Sequence, residues 1–292
     1  MPAHNSSAIW QRNYEQATKV YEEALAFARD ISDRFGIALN SYNLGAIAWF
    51  QGDYARANRM IAESLALFRD HDRDGVTASC IHTLGDIALA QGDHQRAIQW
   101  YETELVFGQE KQLEISLMFA LNGLGKVAWV QGNDNVATKR FEEALRMSEK
   151  AGSKAAILLA LYGLGRVALS QRDYGSAGEF LTQASEIRLP EAIELFGWIS
   201  LKPYGVATAY PLEGFAVLAA TQNQMERAAR LLGAVESLYA SIHFEMSAKE
   251  RAEHDQAIAS ARAALSDEAF AAAWAEGCMM TMEQAITFAL ES

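Results

Sequence analysis

Leu84-Gly85-Asp86-Ile87-Ala88-Leu89-Ala90-Gln91-Gly92-Asp93 is the stretch from which the architecture of this 292-residue chain is read. Its pattern occurs four times. Leu44-Gly45, Leu84-Gly85, Leu124-Gly125 and Leu164-Gly165 follow one another at steps of 40 residues. Ala48, Ala88, Ala128 and Ala168 keep the same offset, as do Gln51, Gln91, Gln131 and Gln171. Asp53, Asp93, Asn133 and Asp173 come next, then Ala57, Ala97, Ala137 and Ala177. A fixed period of this length marks stacked supersecondary units, each too small to bury its apolar face alone.

Within each unit, apolar residues fall at helical spacing: Leu44, Ile47 and Ala48, then Leu84, Ile87 and Ala88. Gln-Gly-Asp or Gln-Gly-Asn follows in the first three copies, a glycine that ends one helix and an acceptor that caps the next. Arg172 replaces that glycine in the fourth copy, so its turn is expected to be less relaxed. A second helix carries Ala57, Ile61 and Leu65, or Ala97, Tyr101 and Leu105. The glycine after each leucine weakens a helix by roughly 1 kcal/mol relative to alanine, so its recurrence implies close helix approach. The repeated alanine of the second helix is the expected partner.

The boundaries follow from this register. Residues 13–34 read as half a repeat, and four 40-residue repeats complete an array over 1–188. Pro190, Pro203 and Pro211 mark an insert over 189–211, rich in aromatic residues around Trp198 and Tyr210, where proline is expected to interrupt helix. A fifth helix pair is expected over 212–242 and a helical cap over 243–292, with Ser247, Ser266 and Thr281 opening its helices.

Composition limits the function. The chain is 50% hydrophobic and 21% charged, so it folds, and its net charge of -12 argues against a phosphate-backbone partner. Cys80 and Cys278 lie far apart without CxxC spacing, which points to reduced thiols and a cytoplasmic setting. No run approaches a membrane span. Gly123-Leu124-Gly125-Lys126 lacks phosphate-loop spacing and a preceding strand. The six histidines form neither an HExxH motif nor a cluster with the cysteines. No serine stands in a nucleophile-elbow context. No catalytic constellation and no cofactor are expected.

Leu-Gly, Ala, Gly-Asp-Tyr at 52–54, Ala57 and Phe141-Glu142-Glu143-Ala144-Leu145 together resemble the tetratricopeptide repeat (TPR), in its longer-helix subclass, over residues 13–188. This implies an all-α right-handed superhelix of antiparallel helix pairs. The tail segments Arg227–Ala234 and Ala269–Gly277, with Met282-Glu283-Gln284-Ala285, resemble the end of the repeat region in signal-transduction ATPases, including MalT-like and LuxR-type regulators. That resemblance implies a non-enzymatic sensor or partner-binding region for a protein or peptide. A small-molecule effector, a sugar or metabolite enclosed by Tyr162, Arg166 and Tyr210, is the alternative. Direct nucleic-acid contact and a membrane partner are not expected.

In the resembled fold the first helix of each pair lines a concave groove. The residues outside the core phase there are Tyr42, Asn43, His82, Asp86, Asn122, Lys126, Tyr162, Arg166 and Glu213, several at i,i+4 spacing on one face. The Lys/Asn/Arg set that some family members use to clamp a peptide carboxylate is not matched: Tyr42, Asn43, Ala46, Phe119 and Gly123 stand there. Trp49 and Trp129 read as packing residues. An exposed groove of this kind predicts that changing Lys126 and Arg166 to alanine weakens an acidic ligand with little loss of thermal stability.

Overall fold

Within the repeats, helices follow one another across tight turns such as those at Gly52, Gly92 and Gly132. The computed structural model describes residues 3–69, 73–187, 201–242, 246 and 248–291, and among these there are fourteen helices and no strand. They are α1 (Ala3–Asp30), α2 (Arg34–Phe50), α3 (Tyr54–Arg69), α4 (Asp74–Ala90), α5 (His94–Glu110), α6 (Glu114–Val130) and α7 (Asp134–Ala151). Then come α8 (Lys154–Ser170), α9 (Tyr174–Glu186), α10 (Leu201–Thr221), α11 (Met225–Ile242), α12 (Ala248–Ala264), α13 (Asp267–Met279) and α14 (Met282–Leu290). This is an all-α, TPR-like helical solenoid.

The turns have the expected chemistry. Gly52, Gly92 and Gly132 take φ of 76, 75 and 76°, the left-handed conformation that lets the chain leave one helix and enter the next. Arg172 adopts φ 60° at the same place, a region that non-glycine residues seldom occupy. Asp53, Asp93 and Asp173 then accept backbone N–H groups in the following helix. Asn133 makes no such side-chain bond.

The recurring glycine has a different partner from the one expected. A Cβ on Gly45, Gly85, Gly125 or Gly165 would meet Ile61, Tyr101, Phe141 or Leu181 respectively. These stand four residues beyond the repeated alanine, so the glycine makes room for a large buried side chain of the second helix. Each of the last three is also enclosed from the next repeat: Tyr101 by Gly123, Phe141 by Gly163 and Leu181 by Gly214. Two glycines per large side chain knit successive pairs into one continuous core.

Curvature follows from which helices touch. The first helices of successive pairs (α2, α4, α6, α8, α10) pack more closely together than the successive second helices. The first helices therefore form the inner, concave wall.

Two helices are longer than their patterns suggest. α1 begins at Ala3, because no breaker separates it from the periodic part after Tyr14. α10 begins at Leu201 and runs through Pro211 rather than starting after it. Pro203 sits in the first turn, where a missing N–H leaves nothing unsatisfied. Pro211 removes one internal bond without ending the helix. Residues 188–200, the side chains of the rest of the insert before Tyr210, and the expected cap at Ser247 lie outside the described residues.

At the other end, α11 packs on α13 with almost no side chain between them. A Cβ on Gly277 would collide with the Arg230 carbonyl oxygen, and one on Gly233 with that of Trp274. Ser266 caps α13, and Thr281 with Gln284 forms a full capping box on α14. α14 buries Ala285, Ile286 and Ala289. α12 takes another route and lies across the concave wall.

Candidate functional site

The nine residues singled out from the register stand on the first helices, but the wall they form is not open. Tyr42, Asn43, Asn122, Tyr162, Arg166 and Glu213 are all buried. The Tyr42 hydroxyl lies 3.2 Å from Thr83 Oγ1. Asn122 Nδ2 donates to the carbonyls of Met118, at 3.1 Å, and Ala156, at 3.3 Å. Tyr42 and Asn122 thus join neighbouring first helices, and with Asn43 they are interior. The expectation of nine groove-lining side chains is corrected accordingly: the wall curves so tightly that its polar residues meet one another.

His82 and Asp86 form the more open group, with side chains 22% and 25% exposed. His82 Nδ1 lies 2.8 Å from Glu104 Oε2, and Nε2 3.7 Å from Asp86. Tyr101 donates to Asp86 at 2.6 Å, and Ser116 donates to Glu104 at 3.3 Å. Burial alone would lower the His82 pKa, but the two carboxylates outweigh it and raise it to about 9. Burial holds the Glu104 carboxyl above its usual range, with His82 partly offsetting it.

Lys126, Tyr162, Arg166 and Glu213 are brought into one network, completed by residues far along the chain. Arg166, 1% exposed, donates to the Tyr162 hydroxyl at 3.0 Å, pairs with Glu213 at 3.1 Å, and pairs also with Glu253 on α12. Its guanidinium lies 4.9 Å from the Trp129 ring centroid. Tyr239 donates to Glu213 at 3.0 Å. Lys126 pairs with the fully buried Glu250 of α12 at 3.3 Å and lies 5.5 Å from the Tyr210 ring centroid. Tyr210 stacks on Tyr162, centroids 4.6 Å apart at 12°. Lys249 Nζ donates to the Trp129 carbonyl at 2.7 Å, near the C-terminal end of α6, where the helix dipole favours a cation.

Burial opposes charge on both Lys126 and Arg166, yet their acidic and phenolic neighbours raise both pKa values above the usual range. Burial raises the Glu213 carboxyl despite Arg166. The wall contributes Lys126, Arg166 and Glu213 to the contact and α12 contributes Lys249, Glu250 and Glu253, so charge balances locally. The wall thus holds α12 in part through its carboxylates. Tyr162, Arg166 and Tyr210 do come together, but the two rings stack on each other and carboxylates hold the guanidinium.

Register reasoning overlooked Tyr101 and Glu104 on α5 and Tyr239, Lys249, Glu250 and Glu253 near the C-terminus. One of these had left a signal. Glu104 occupies the phase held by Ser64, Ala144 and Ala184, so a lone carboxylate stands where the other copies have a small residue. The burial of Arg166 also corrects the expectation about alanine changes: its removal strands Glu213 in the interior.

Among the described residues, no group of His, Cys, Asp and Glu is arranged to hold a metal ion, and no helix is long and apolar enough to cross a membrane.

A family model described as the MalT-like TPR region matches residues 4–201. Among curated proteins no sequence match is found. Solved structures of similar fold include the following two. BtubC (BKLC) from P. vanneervenii is 16% identical with a TM-score of 0.54, over 81% of this chain and 93% of that one. The apo form of RapI is 14% identical with a TM-score of 0.55, over 88% of this chain and all of that one.

Proposed function

Because the chain belongs to the MalT-like TPR-region family, we propose that it is a non-enzymatic scaffold that binds a protein or peptide partner on its concave wall. Within this reading it is the sensor and interaction region of a signalling ATPase or transcription regulator. A cytoplasmic setting is part of the same proposal. A repeat array supplies what the role needs: a constant core phase and an inner face whose residues are free to vary.

The observation that carries this reading is that the wall already holds a helix. Lys126, Arg166 and the Trp129 carbonyl take Glu250, Glu253 and Lys249 of α12 in one continuous contact. A surface that positions a helix through buried charge pairs has the chemistry of a helix-recognition site.

The test is a binding comparison between the wild type and a Lys126→Glu chain confirmed to be folded by circular dichroism. A partner that binds through the concave wall is retained by the wild type and lost by the charge reversal. Equal retention by both chains would overturn the assignment to this face.

A further inference from the structure

We propose that α12 is a cis-acting occupant of the concave wall, standing where the partner binds, and that the partner is an acidic helix presenting two carboxylates one turn apart in place of Glu250 and Glu253. This rests on the concave-wall reading above and names the chemistry of what that wall takes.

Three features of α12 separate it from a permanent core element. First, its N-terminal half meets the wall through charge. Lys249 reaches the end of α6, Glu250 meets Lys126 on α6, and Glu253 meets Arg166 on α8. Glu250 and Glu253 are three residues apart, so they project from one face of the helix. Second, its apolar seat is small: Ala257 and Ala261 are buried, and Ile258 is partly so. It is also tied to α11 by His254 and Arg251, which both reach Glu236, at 3.0 and 3.3 Å. Third, buried ion pairs contribute specificity more than net stability, since desolvation offsets much of their attraction. A second helix with the same carboxylates re-forms the same pairs on arrival. Exchange leaves no charge stranded, whereas a neutral helix takes Glu250 from Lys126 and leaves Arg166 with Glu213 alone.

The tether decides the order of events. A segment held in the same chain competes at a high effective concentration, so a free helix binds weakly until α12 is weakened. The wall is thus selective for a helix that matches α12 and outcompetes it.

The experiment uses the full chain and a fluorescent synthetic peptide of residues 246–265. Peptide affinity is measured by anisotropy for the wild type and for E250Q/E253Q. The double variant is expected to bind at least about tenfold more tightly than the wild type, because its own helix no longer holds the site. The same peptide carrying glutamine at both places is expected to lose at least that factor. Hydrogen exchange on the wild type provides a second readout that does not depend on the variant folding. Excess acidic peptide is expected to speed exchange in α12 while α6 and α8 stay protected. The inference is overturned if α12 exchanges only together with α6 and α8 and excess peptide leaves its exchange unchanged. Should Lys126→Glu still abolish partner binding in that event, the concave-wall reading survives and only the identity of its occupant is lost.

Discussion

The ring of Tyr101 rests on Gly85, where a Cβ would stand 2.6 Å from ring carbon Cε1. The ring cannot retreat, because Gly123 of the next repeat closes its other face. Gly85→Val is therefore expected to destabilise the fold by about 1–3 kcal/mol through overpacking. Gly75 is the internal control, since a Cβ there meets nothing within 4 Å. Gly75→Ala should leave the urea midpoint unchanged or raised. Equal effects at the two positions would mean that the glycines mark helix propensity, not ring accommodation.

The repeat architecture was legible because it is written locally. Leu84, Gly85, Ala88, Gly92 and Asp93 each act within about ten residues of one another, and the same offsets recur. Curvature was not legible. Whether Tyr42 and Asn122 face solvent or a neighbouring helix depends on how closely α2, α4, α6 and α8 approach, which no single repeat encodes. Nor was the position of α12: Arg166 and Glu253 are 87 residues apart, and no periodicity links them. Lys126 and Arg166 stand on first helices, and what covers them lies outside the repeat register.

Arg166 tests how that buried cluster is balanced. Replacing it with alanine leaves Glu213, itself fully buried, without its cation. A loss of about 3–5 kcal/mol is expected for breaking one side of a buried pair. Combining Arg166→Met with Glu213→Gln removes both charges and keeps an acceptor for the Tyr239 hydroxyl. The double variant should recover most of the loss in chemical denaturation. If it is as unstable as Arg166→Ala, charge balance is not what the arginine supplies.

His82 gives the fold a pH dependence with a definite sign. Its folded pKa of about 9 lies above the unfolded value of about 6.5. Its stabilisation is therefore fully present below about pH 6.5 and is lost as pH rises through about 9. The groups facing it are Asp86 on its own helix, Glu104 and Tyr101 on α5, and Phe119 on α6. The difference in melting temperature between wild type and His82→Gln should shrink between pH 7 and 10. A difference that is flat across this range would show that the imidazole is neutral in the fold at pH 7.

Gly277 decides whether the C-terminal cap stays attached. Its neighbour is the backbone oxygen of Arg230, which cannot rotate away as a side chain can. Gly277→Ala must separate α13 from α11, and the separation removes three contacts together: the Arg230–Glu276 pair at 2.7 Å, the Cys278 Sγ bond to the Gly233 carbonyl at 3.3 Å, and the burial of Phe270 and Ala273. Solenoids transmit stability mainly between adjacent units, so the loss should stay at this end. The variant is expected to melt in two steps, with the cap released first and the α2–α9 array unchanged. Cys278 should then react with a thiol reagent before the main transition, while Cys80, fully buried between α3 and α4, stays protected. Simultaneous release of both thiols would mean that the cap and the repeats melt as one unit, and that the close α11–α13 contact supports the whole chain and not its end alone.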